Sequence, residues 1–143
     1  MNRPLEGKHV CVIGGTAGMG RAIASVSAGA GGRVTIAGRS PDKTTAVAAE
    51  LGVQGVAIDI TVEDSVRSFF ETAGGIDHLV ITASSVRRGA MRDLPLEDAE
   101  FTFRSKFFGP YLCAKHAQIA RDGSITFFSG IFSGRPGLND VVL

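Results

Sequence analysis

Residues 8–20 read KHVCVIGGTAGMG, and RAIASVSAGA follows directly at residues 21–30. This order is a short apolar run, a glycine-rich turn and a helix-forming segment. Glycines let a backbone approach phosphate groups without a Cβ in the way, and the free N–H groups and positive dipole at a helix N-terminus favour an anion. The stretch therefore predicts a strand, a turn and a helix that together grip a pyrophosphate. Its glycines are spaced Gly14-x-x-x-Gly18-x-Gly20, which differs from the G-x-G-x-x-G of many dinucleotide folds.

Apolar, strand-like runs alternate with helical segments along the chain. The pattern predicts five strands, at Val10–Ile13, Val34–Ala37, Val56–Ile58, Leu79–Thr82 and Ser124–Phe128. It predicts helices at residues 18–30, at 41–51 between Ser40-Pro41 and Gly52, from Thr61 as the cap to Thr72, and at 97–119. Strands that are apolar on both faces and alternate with helices predict an α/β fold with a doubly wound parallel sheet, the Rossmann fold. We expect one domain over residues 1–143, with ligands at the carboxyl ends of the strands.

Composition excludes several classes of partner. The chain has 15 basic and 14 acidic side chains, so we expect no nucleic-acid partner. No apolar run approaches the roughly 18–20 residues that a membrane span needs, and the N-terminus has no signal-peptide core. Cys11 and Cys113 belong to no cluster of metal ligands. We expect two reduced, buried thiols in a cytoplasmic protein without a metal site.

Four further landmarks follow the turn in order. They are AGRS at residues 37–40, DIT at 59–61, IDHLVITAS at 76–84, and a helix carrying Lys106 ahead of Gly109 that leads into SITFFSG at 124–130. With the turn they resemble the short-chain dehydrogenase/reductase family over essentially all of the chain, although Ile13 stands where that family usually has threonine. The resemblance implies an oxidoreductase that moves hydride between a nicotinamide dinucleotide and a carbonyl or alcohol substrate. It implies that the turn binds the cofactor through Gly14, Thr16, Ala17, Gly18, Met19 and Gly20.

The end of the second strand indicates which dinucleotide is bound. NAD-binding folds carry an acidic residue here that binds the ribose 2′-hydroxyl, whereas this chain has Gly38 followed by Arg39. An arginine can pair with a 2′-phosphate by charge-assisted hydrogen bonds, and Ser40 adds a hydroxyl beside it. The sequence therefore predicts NADP in preference to NAD; the alternative is a solvated arginine at a strand end. The missing acid also argues against a third class, the S-adenosylmethionine-dependent methyltransferases.

The resemblance implies two more groups of cofactor contacts. Asp59 would meet the adenine amino group and Ile60 would pack on the ring, with the alternative that Asp59 serves as an N-terminal acid for the following helix. Ala83 and Ser84 fall in the slot of the family's Asn-Asn-Ala-Gly, of which only the alanine is kept. Small residues at this position still allow the backbone to pass close to the nicotinamide ribose.

The catalytic residues of the family are largely replaced or absent. Lys106 occupies the slot of the family's helix asparagine, either as a surface lysine or as a group close to the cofactor. Gly130 takes the place of the serine that polarises the substrate carbonyl, which leaves Ser129 as the candidate. The Tyr-x-x-x-Lys pair would begin at or just beyond Leu143, and the YLCAK match at residues 111–115 lies in the wrong element. We therefore expect the 143-residue chain to be inactive alone.

The resemblance also implies that the family's C-terminal strands and helices are missing, which leaves the fifth strand as an edge. Aromatic residues crowd the helix at 97–119, and we expect part of this set to face the core and the rest to be exposed: Phe101, Phe103, Phe107, Phe108 and Tyr111. Edges and apolar patches favour association, so we expect a homo-oligomer formed through this helix. The competing function is a non-catalytic NADP-binding module with a regulatory or sensing role, because several catalytic residues are replaced.

Overall fold

The computed structural model of the protein describes residues 3–131, 134, 135 and 137. The strands in this part are β1 (His9–Ile13), β2 (Arg33–Gly38), β3 (Gln54–Ala57), β4 (Gly75–Ile81) and β5 (Gln118–Phe127). The helices are α1 (Gly18–Gly29), α2 (Pro41–Leu51), α3 (Glu63–Ala73), α4 (Leu96–Phe103) and α5 (Gly109–His116), with a π-helical turn at Arg104–Phe108. None of the helices in the described part is long and apolar enough to cross a membrane.

The strands of the described residues form one parallel sheet in the order β3-β2-β1-β4-β5. β1 pairs with β2 on one side, with Val12 beside Ile36, and with β4 on the other, with Val12 beside Val80. The chain therefore runs outward from β1 to β3 and then returns to the opposite side of β1 for β4. This reversal creates a crevice at the carboxyl ends of β1 and β4, where doubly wound sheets bind their ligands. The predicted Rossmann fold is confirmed.

β1 is buried on both faces because helices cover both sides of the sheet. Cys11 packs on one side in a cluster with Phe70 of α3 and Cys113 of α5. Val12 packs on the other side in a cluster with Ala24 of α1. The alternation follows the two-residue period of a strand. Both cysteines are free and buried, as predicted, and burial raises the pKa of the Cys113 thiol to about 12.

The helical stretch predicted over residues 97–119 contains a π-helical turn. α4 gives way to the π-helical turn, after which the Gly109 N–H donates to the Arg104 carbonyl, five residues earlier. Pro110 explains the wider turn, because proline has no N–H for the Lys106 carbonyl four residues before it. The predicted helical stretch is therefore confirmed as far as His116, with this wider turn inside it, which the proline in the pattern already signals.

The stripe of α4 and α5 that faces the sheet is made of small residues and not of aromatic ones. Its buried members are Thr102, Ser105, Gly109 and Cys113. A Cβ on Gly109 would lie 2.7 Å from Ile60 Cδ1, so the backbone packs too closely there for a larger side chain. The expectation that part of the aromatic set is buried in the core is wrong. Phe101 is half-buried, and the other four are exposed: Phe103, Phe107, Phe108 and Tyr111.

The remaining differences from the predicted boundaries lie at element ends. α5 ends at His116 and β5 begins at Gln118, so residues predicted to end a helix instead pair with β4. β3 and β4 also begin earlier than predicted, at Gln54 and Gly75. The N-cap of α3 is Val62 and not the predicted Thr61. Element ends depend on tertiary pairing and capping geometry, which hydrophobic periodicity does not report.

Candidate functional site

The glycine-rich turn fits tightly between the ends of β1 and β4. Gly14 has a φ of 92°, and a Cβ there would lie 2.5 Å from Thr82 Oγ1 and 2.6 Å from the Ala83 amide nitrogen. A Cβ on Gly20 would collide with the Gly14 carbonyl oxygen. Gly18 has a φ of 51°, and a Cβ there would meet nothing within 4 Å. Two of the glycines therefore permit close packing, and the third leaves open space for a ligand above the turn.

α1 begins without the groups that usually satisfy a helix N-terminus. Its N-cap, Ala17, offers no side-chain hydrogen bond, and its first turn has no acidic residue. The amide groups of residues 18–20 have no acceptor within the part of the chain that the structure describes. By contrast, Ser40 caps α2 as predicted, by accepting from the Lys43 amide at 3.4 Å. The free N–H groups and the dipole of α1 therefore suit a phosphate group.

Thr82 follows β4 directly and fixes the position of the turn. Its hydroxyl lies 3.2 Å from the carbonyl oxygens of both Ile13 and Gly14, and donates to them. Its amide donates to the Ile13 carbonyl at 2.8 Å. Sequence reasoning did not select Thr82 as a site residue. Its one signal was its place directly after the apolar strand IDHLVI.

Two clefts open along the carboxyl edge of the sheet. The first, the β2–β3 cleft, has a volume of about 180 Å³ and lies between the ends of β1, β2 and β3 and the start of the β4–α4 loop. The second, the β4–β5 cleft, has a volume of about 280 Å³ and lies between the ends of β4 and β5, α1 and the π-helical turn. Ala83 and Ser84 line both clefts. The two clefts therefore adjoin at this dipeptide.

Most of the residues selected from the sequence meet at these clefts. The β2–β3 cleft is lined by five of them besides the shared dipeptide: Gly14, Thr16, Arg39, Asp59 and Ile60. The β4–β5 cleft is lined by three: Met19, Lys106 and Ser129. Ala17 and Gly18 lie on the turn outside the two linings, and Gly20 lies beneath it. Ser40 lines neither cleft, and its hydroxyl is engaged as the cap of α2.

The end of β2 has room for a cation and none for an acidic side chain. Arg39 is exposed, lines the β2–β3 cleft, and has no hydrogen bond or ion pair with any residue that the structure describes. A Cβ on Gly38 would lie 2.8 Å from Thr16 Cγ2 and 2.8 Å from Thr44 Oγ1. Thr44 is buried, and its hydroxyl donates to the Ser40 carbonyl at 2.7 Å. The acidic slot of an NAD-binding fold is therefore filled by two threonines.

Asp59 is held in a local turn by Thr61. The Asp59 Oδ1 oxygen accepts from the Thr61 amide at 2.9 Å and from the Thr61 hydroxyl at 2.7 Å. Thr61 therefore orients Asp59 and does not cap α3. No described residue bonds to the second carboxylate oxygen, which remains available as an acceptor at the wall of the β2–β3 cleft.

Lys106 is the one charged side chain that lines the β4–β5 cleft among the described residues. It is half-buried on the π-helical turn and makes no ion pair within this part of the chain. Ser129 lines the same cleft, beside Gly130, and no described residue bonds to its hydroxyl. The structure therefore brings both candidate catalytic residues to one cleft without fixing either side chain by a hydrogen bond.

Comparison with known proteins supplies the family. The family model described as short chain dehydrogenase matches residues 8–137. The chain belongs to the short-chain dehydrogenase family. Members of this family are oxidoreductases that use a nicotinamide dinucleotide, NAD or NADP.

Relatives and solved structures agree with this assignment. An uncharacterized oxidoreductase of Thermotoga maritima is 33% identical over 135 residues, with 85% of this chain and 52% of that protein covered. A 3-oxoacyl-(acyl-carrier-protein) reductase of Aquifex aeolicus is 35% identical over 127 residues, with 82% and 51% covered. The solved structure of a short chain dehydrogenase/reductase family protein superposes with a TM-score of 0.91 at 27% identity, over 99% of this chain and 62% of that one. The chain spans about half the length of the curated relatives that it matches.

The Tyr-x-x-x-Lys spacing at residues 111–115 lies outside both clefts. Tyr111 is exposed, and Lys115 Nζ donates to Glu63 Oε1 at 2.7 Å. His116 Nε2 shares the same carboxylate oxygen at 2.8 Å. The hydrogen bonds from Lys115 and His116 lower the pKa of Glu63 to about 2. The motif match therefore belongs to a surface ion cluster. The position near Leu143, where the family's own pair would begin, lies outside the described residues.

Two buried hydroxyl groups, on α4 and on the π-helical turn after it, hold the loop after β4. Ser105 Oγ accepts from the Ser85 amide at 2.6 Å, and Thr102 Oγ1 accepts from the Arg87 amide at 2.9 Å. Both hydroxyl-bearing residues are 2% exposed or less. Sequence reasoning did not select them, because a helix residue bonded to a distant loop leaves no local sequence signal. The Ser105 bond holds the residue directly after the shared Ala83–Ser84 dipeptide, and the Thr102 bond holds the loop farther on, outside both clefts.

Proposed function

We propose that residues 1–143 form one NADP-binding domain, which acts in an NADP-dependent oxidoreductase that interconverts a carbonyl and an alcohol. The observation that carries this proposal is the pair of adjoining clefts, joined at Ala83 and Ser84 beside the open glycine turn. Together they provide an elongated site at the reversal point of the sheet. Family membership supports a nicotinamide dinucleotide as its occupant.

The residues present fit the parts of such a dinucleotide. The uncapped start of α1 would receive the pyrophosphate, because its amide groups are free and Gly18 leaves open space. The β2–β3 cleft would hold the adenosine half, with the free oxygen of Asp59 as an acceptor for the adenine amino group and Ile60 against the ring. The β4–β5 cleft would hold the nicotinamide half, which supplies or accepts the hydride when the cofactor is bound.

The preference for NADP rests on the end of β2. Arg39 is a cation at the wall of the β2–β3 cleft. It has no protein partner among the described residues, so it is available to a 2′-phosphate. Gly38 cannot be replaced by the acid of an NAD-binding fold without contact with Thr16 and Thr44. Both features favour the phosphorylated ribose.

The chemistry of the β4–β5 cleft is proposed for Lys106 and Ser129. The Ser129 hydroxyl would donate to the substrate oxygen, and the Lys106 ammonium group would stabilise negative charge that develops there. No tyrosine follows Ser129 in these 143 residues, so the proton donor of the family is not among them. We therefore propose that this chain alone binds the cofactor without sustained turnover.

Calorimetric titration of the full chain with NADPH and NADH tests the binding proposal. We expect NADPH to bind more tightly than NADH. Absence of binding by either dinucleotide would contradict the proposal. An assay with NADPH and a panel of ketones tests the second part, and sustained turnover would contradict the expected inactivity. NADPH binding without turnover is also what the competing function, a regulatory or sensing module, requires.

The exposed aromatic side chains of the α4–α5 face support a further part of the proposal, a homo-oligomer. We also propose a cytoplasmic location, which the two free cysteines support. Phe107 and Phe108 are 60% and 50% exposed and pack edge to face at 5.2 Å. We expect a second copy to cover this face. Replacing both residues by serine should shift the mass measured by light scattering to that of a monomer. A wild-type protein that is monomeric at high concentration would contradict this part.

A further inference from the structure

Ser105 places a buried hydroxyl group at the wall of the β2–β3 cleft, which we propose holds the adenosine half. It lies on the π-helical turn, is 2% exposed, and lines the β2–β3 cleft together with residues that end β2 and follow β3. Its hydroxyl oxygen accepts a hydrogen bond from the Ser85 amide at 2.6 Å. Family motifs do not single out this position, since the helix asparagine slot is the next residue, Lys106.

The Ser105 hydroxyl keeps a hydrogen that no described residue accepts. A hydroxyl has one donor besides its acceptor lone pairs, and the Ser85 amide uses only a lone pair. In a helix the usual acceptor is the carbonyl four residues earlier. Thr102 follows that rule by donating to the Asp98 carbonyl at 2.9 Å, and Ser105 does not. Buried donors are nearly always paired, so the missing partner of Ser105 is expected in the cleft that it lines.

We propose that Ser105 donates this hydrogen bond to an acceptor on the adenosine half of the bound dinucleotide, which makes it a binding residue for that half. This inference rests on the proposed function. A donor from Ser105 would complement the other groups that line the cleft, because Arg39 offers a cation and Asp59 offers an acceptor. Ser105 adds a neutral donor on the π-helical turn, fixed in place by its bond to Ser85. The cleft would then offer adenosine a cation, an acceptor and a neutral donor.

Thr102 provides the matched control. It is buried on the same face of α4, and its hydroxyl accepts from the amide of Arg87 in the same loop. It does not line the β2–β3 cleft, and its own hydrogen is already used. Thr102→Val therefore removes a loop anchor only, whereas Ser105→Ala removes a loop anchor together with the proposed donor.

The test is calorimetric titration of the full chain and its variants with NADPH and with adenosine 2′,5′-bisphosphate, a probe for the adenosine half. We expect Ser105→Ala to raise both dissociation constants about five- to tenfold, the effect of one hydrogen bond. Ser105→Cys keeps the size of the side chain with a weaker donor, and we expect a similar loss. We expect Thr102→Val to lower the melting temperature while both dissociation constants stay within about twofold of wild type.

Two results would overturn the inference while leaving the proposed function in place. One is unchanged binding of both probes by Ser105→Ala and Ser105→Cys. The other is an equal loss of affinity in Ser105→Ala and Thr102→Val, which would show that both hydroxyls act only by holding the loop. A wild-type chain that binds neither probe would instead overturn the proposed function, and this inference with it.

Discussion

The two clefts are built differently although they share Ala83 and Ser84. In the β2–β3 cleft two polar side chains are fixed, since Asp59 is bound by Thr61 and Ser105 by the Ser85 amide, whereas Arg39 has no partner among the described residues. In the β4–β5 cleft no described residue bonds to Lys106 or Ser129, and the wall formed by β5 ends in exposed aromatic residues, Phe127 and Phe128.

On the proposed function, this difference would separate recognition of the cofactor from the reaction. A site whose side chains are locked by neighbouring groups binds with less loss of conformational freedom than one whose groups are loose. We therefore expect the β2–β3 cleft, which we propose holds the adenosine half, to bind it without further ordering of these two side chains. The other cleft lies against the edge strand of the described sheet and has the polar groups for chemistry without the contacts that would orient them. Variants that act on one cleft and spare the other test the distinction.

The largest expected effect comes from the turn that both halves of the dinucleotide would share. Gly14→Ala places a Cβ 2.5 Å from Thr82 Oγ1 at a φ of 92°. We expect the free energy of unfolding to fall by about 1–3 kcal/mol from the backbone strain alone. We expect NADPH affinity to fall about 100-fold or more, because the turn must move away from its position beside β4. Urea unfolding and calorimetric titration measure the two effects.

Gly52→Ala is the control for backbone strain at a position that lies outside both clefts. Gly52 has a φ of 65°, ends α2, and a Cβ there would meet nothing within 4 Å. We expect a loss of about 1 kcal/mol in unfolding free energy and unchanged NADPH binding. If Gly14→Ala and Gly52→Ala lowered affinity equally, the glycine turn would have no special role in binding.

The next effect tests the choice between cofactors. Arg39→Gln removes the cation at the β2–β3 cleft. We expect the dissociation constant for NADPH to rise about 10- to 100-fold, which is the range for hydrogen bonds to charged groups. NADH lacks the 2′-phosphate, so its affinity should stay within about twofold. Lys43→Gln is the control, since Lys43 is a nearby exposed cation on α2 that does not line the cleft. Equal losses for NADPH and NADH would refute a contact between Arg39 and the 2′-phosphate.

A third variant asks whether the acid of an NAD-binding site can be restored. Gly38→Asp would bring a Cβ to 2.8 Å from both Thr16 Cγ2 and Thr44 Oγ1. We expect overpacking to lower the free energy of unfolding by about 1–3 kcal/mol, with no gain in NADH affinity. Adding Thr16→Ala should recover part of the lost stability, because it removes one of the two contacts. Tighter NADH binding by Gly38→Asp alone would show that the slot is open.

The parts that the sequence predicts well are those with a local signal. The strand, turn and helix around Gly14 follow from an apolar run and glycine spacing, and Arg39 and Asp59 follow strands directly. Thr82 and Ser105 escaped prediction because their roles depend on contacts between elements distant in sequence. The π-helical turn before Pro110 had a local signal, since proline cannot continue the regular hydrogen-bond ladder, and the periodic pattern around it obscured that signal.

The burial of the aromatic residues in the helical stretch at 97–119 was wrongly predicted for a related reason. Hydrophobicity predicts burial, but here the close approach of Gly109 to Ile60 requires small residues on the buried stripe. The buried positions are therefore occupied by residues such as Thr102 and Ser105, whose hydroxyl oxygens accept hydrogen bonds from the loop after β4. A stripe of small residues at helical spacing was visible in the sequence, but its meaning depended on how close the sheet lies.

The smallest effect concerns a cluster outside both clefts. Hydrogen bonds from Lys115 and His116 lower the pKa of Glu63 from 4.5 to about 2. A carboxyl group whose pKa is lower in the folded chain stabilises the fold above its unfolded pKa, and that contribution is lost as the pH falls from about 4.5 towards about 2. Because the group is exposed, we expect a small contribution. Glu63→Gln should lower stability slightly near neutral pH and flatten the loss of stability across that window.

Glu97→Gln is the control for this last variant, since Glu97 is exposed in the first turn of α4 and has no bonded partner among the described residues. Urea unfolding across the acidic range should separate the two variants, with a flatter profile only for Glu63→Gln. Neither change should alter NADPH binding, because neither residue lines a cleft. A loss of NADPH affinity in Glu63→Gln would mean that binding at the β2–β3 cleft depends on the α3–α5 surface. It would contradict the expectation that the cleft binds through its own wall residues.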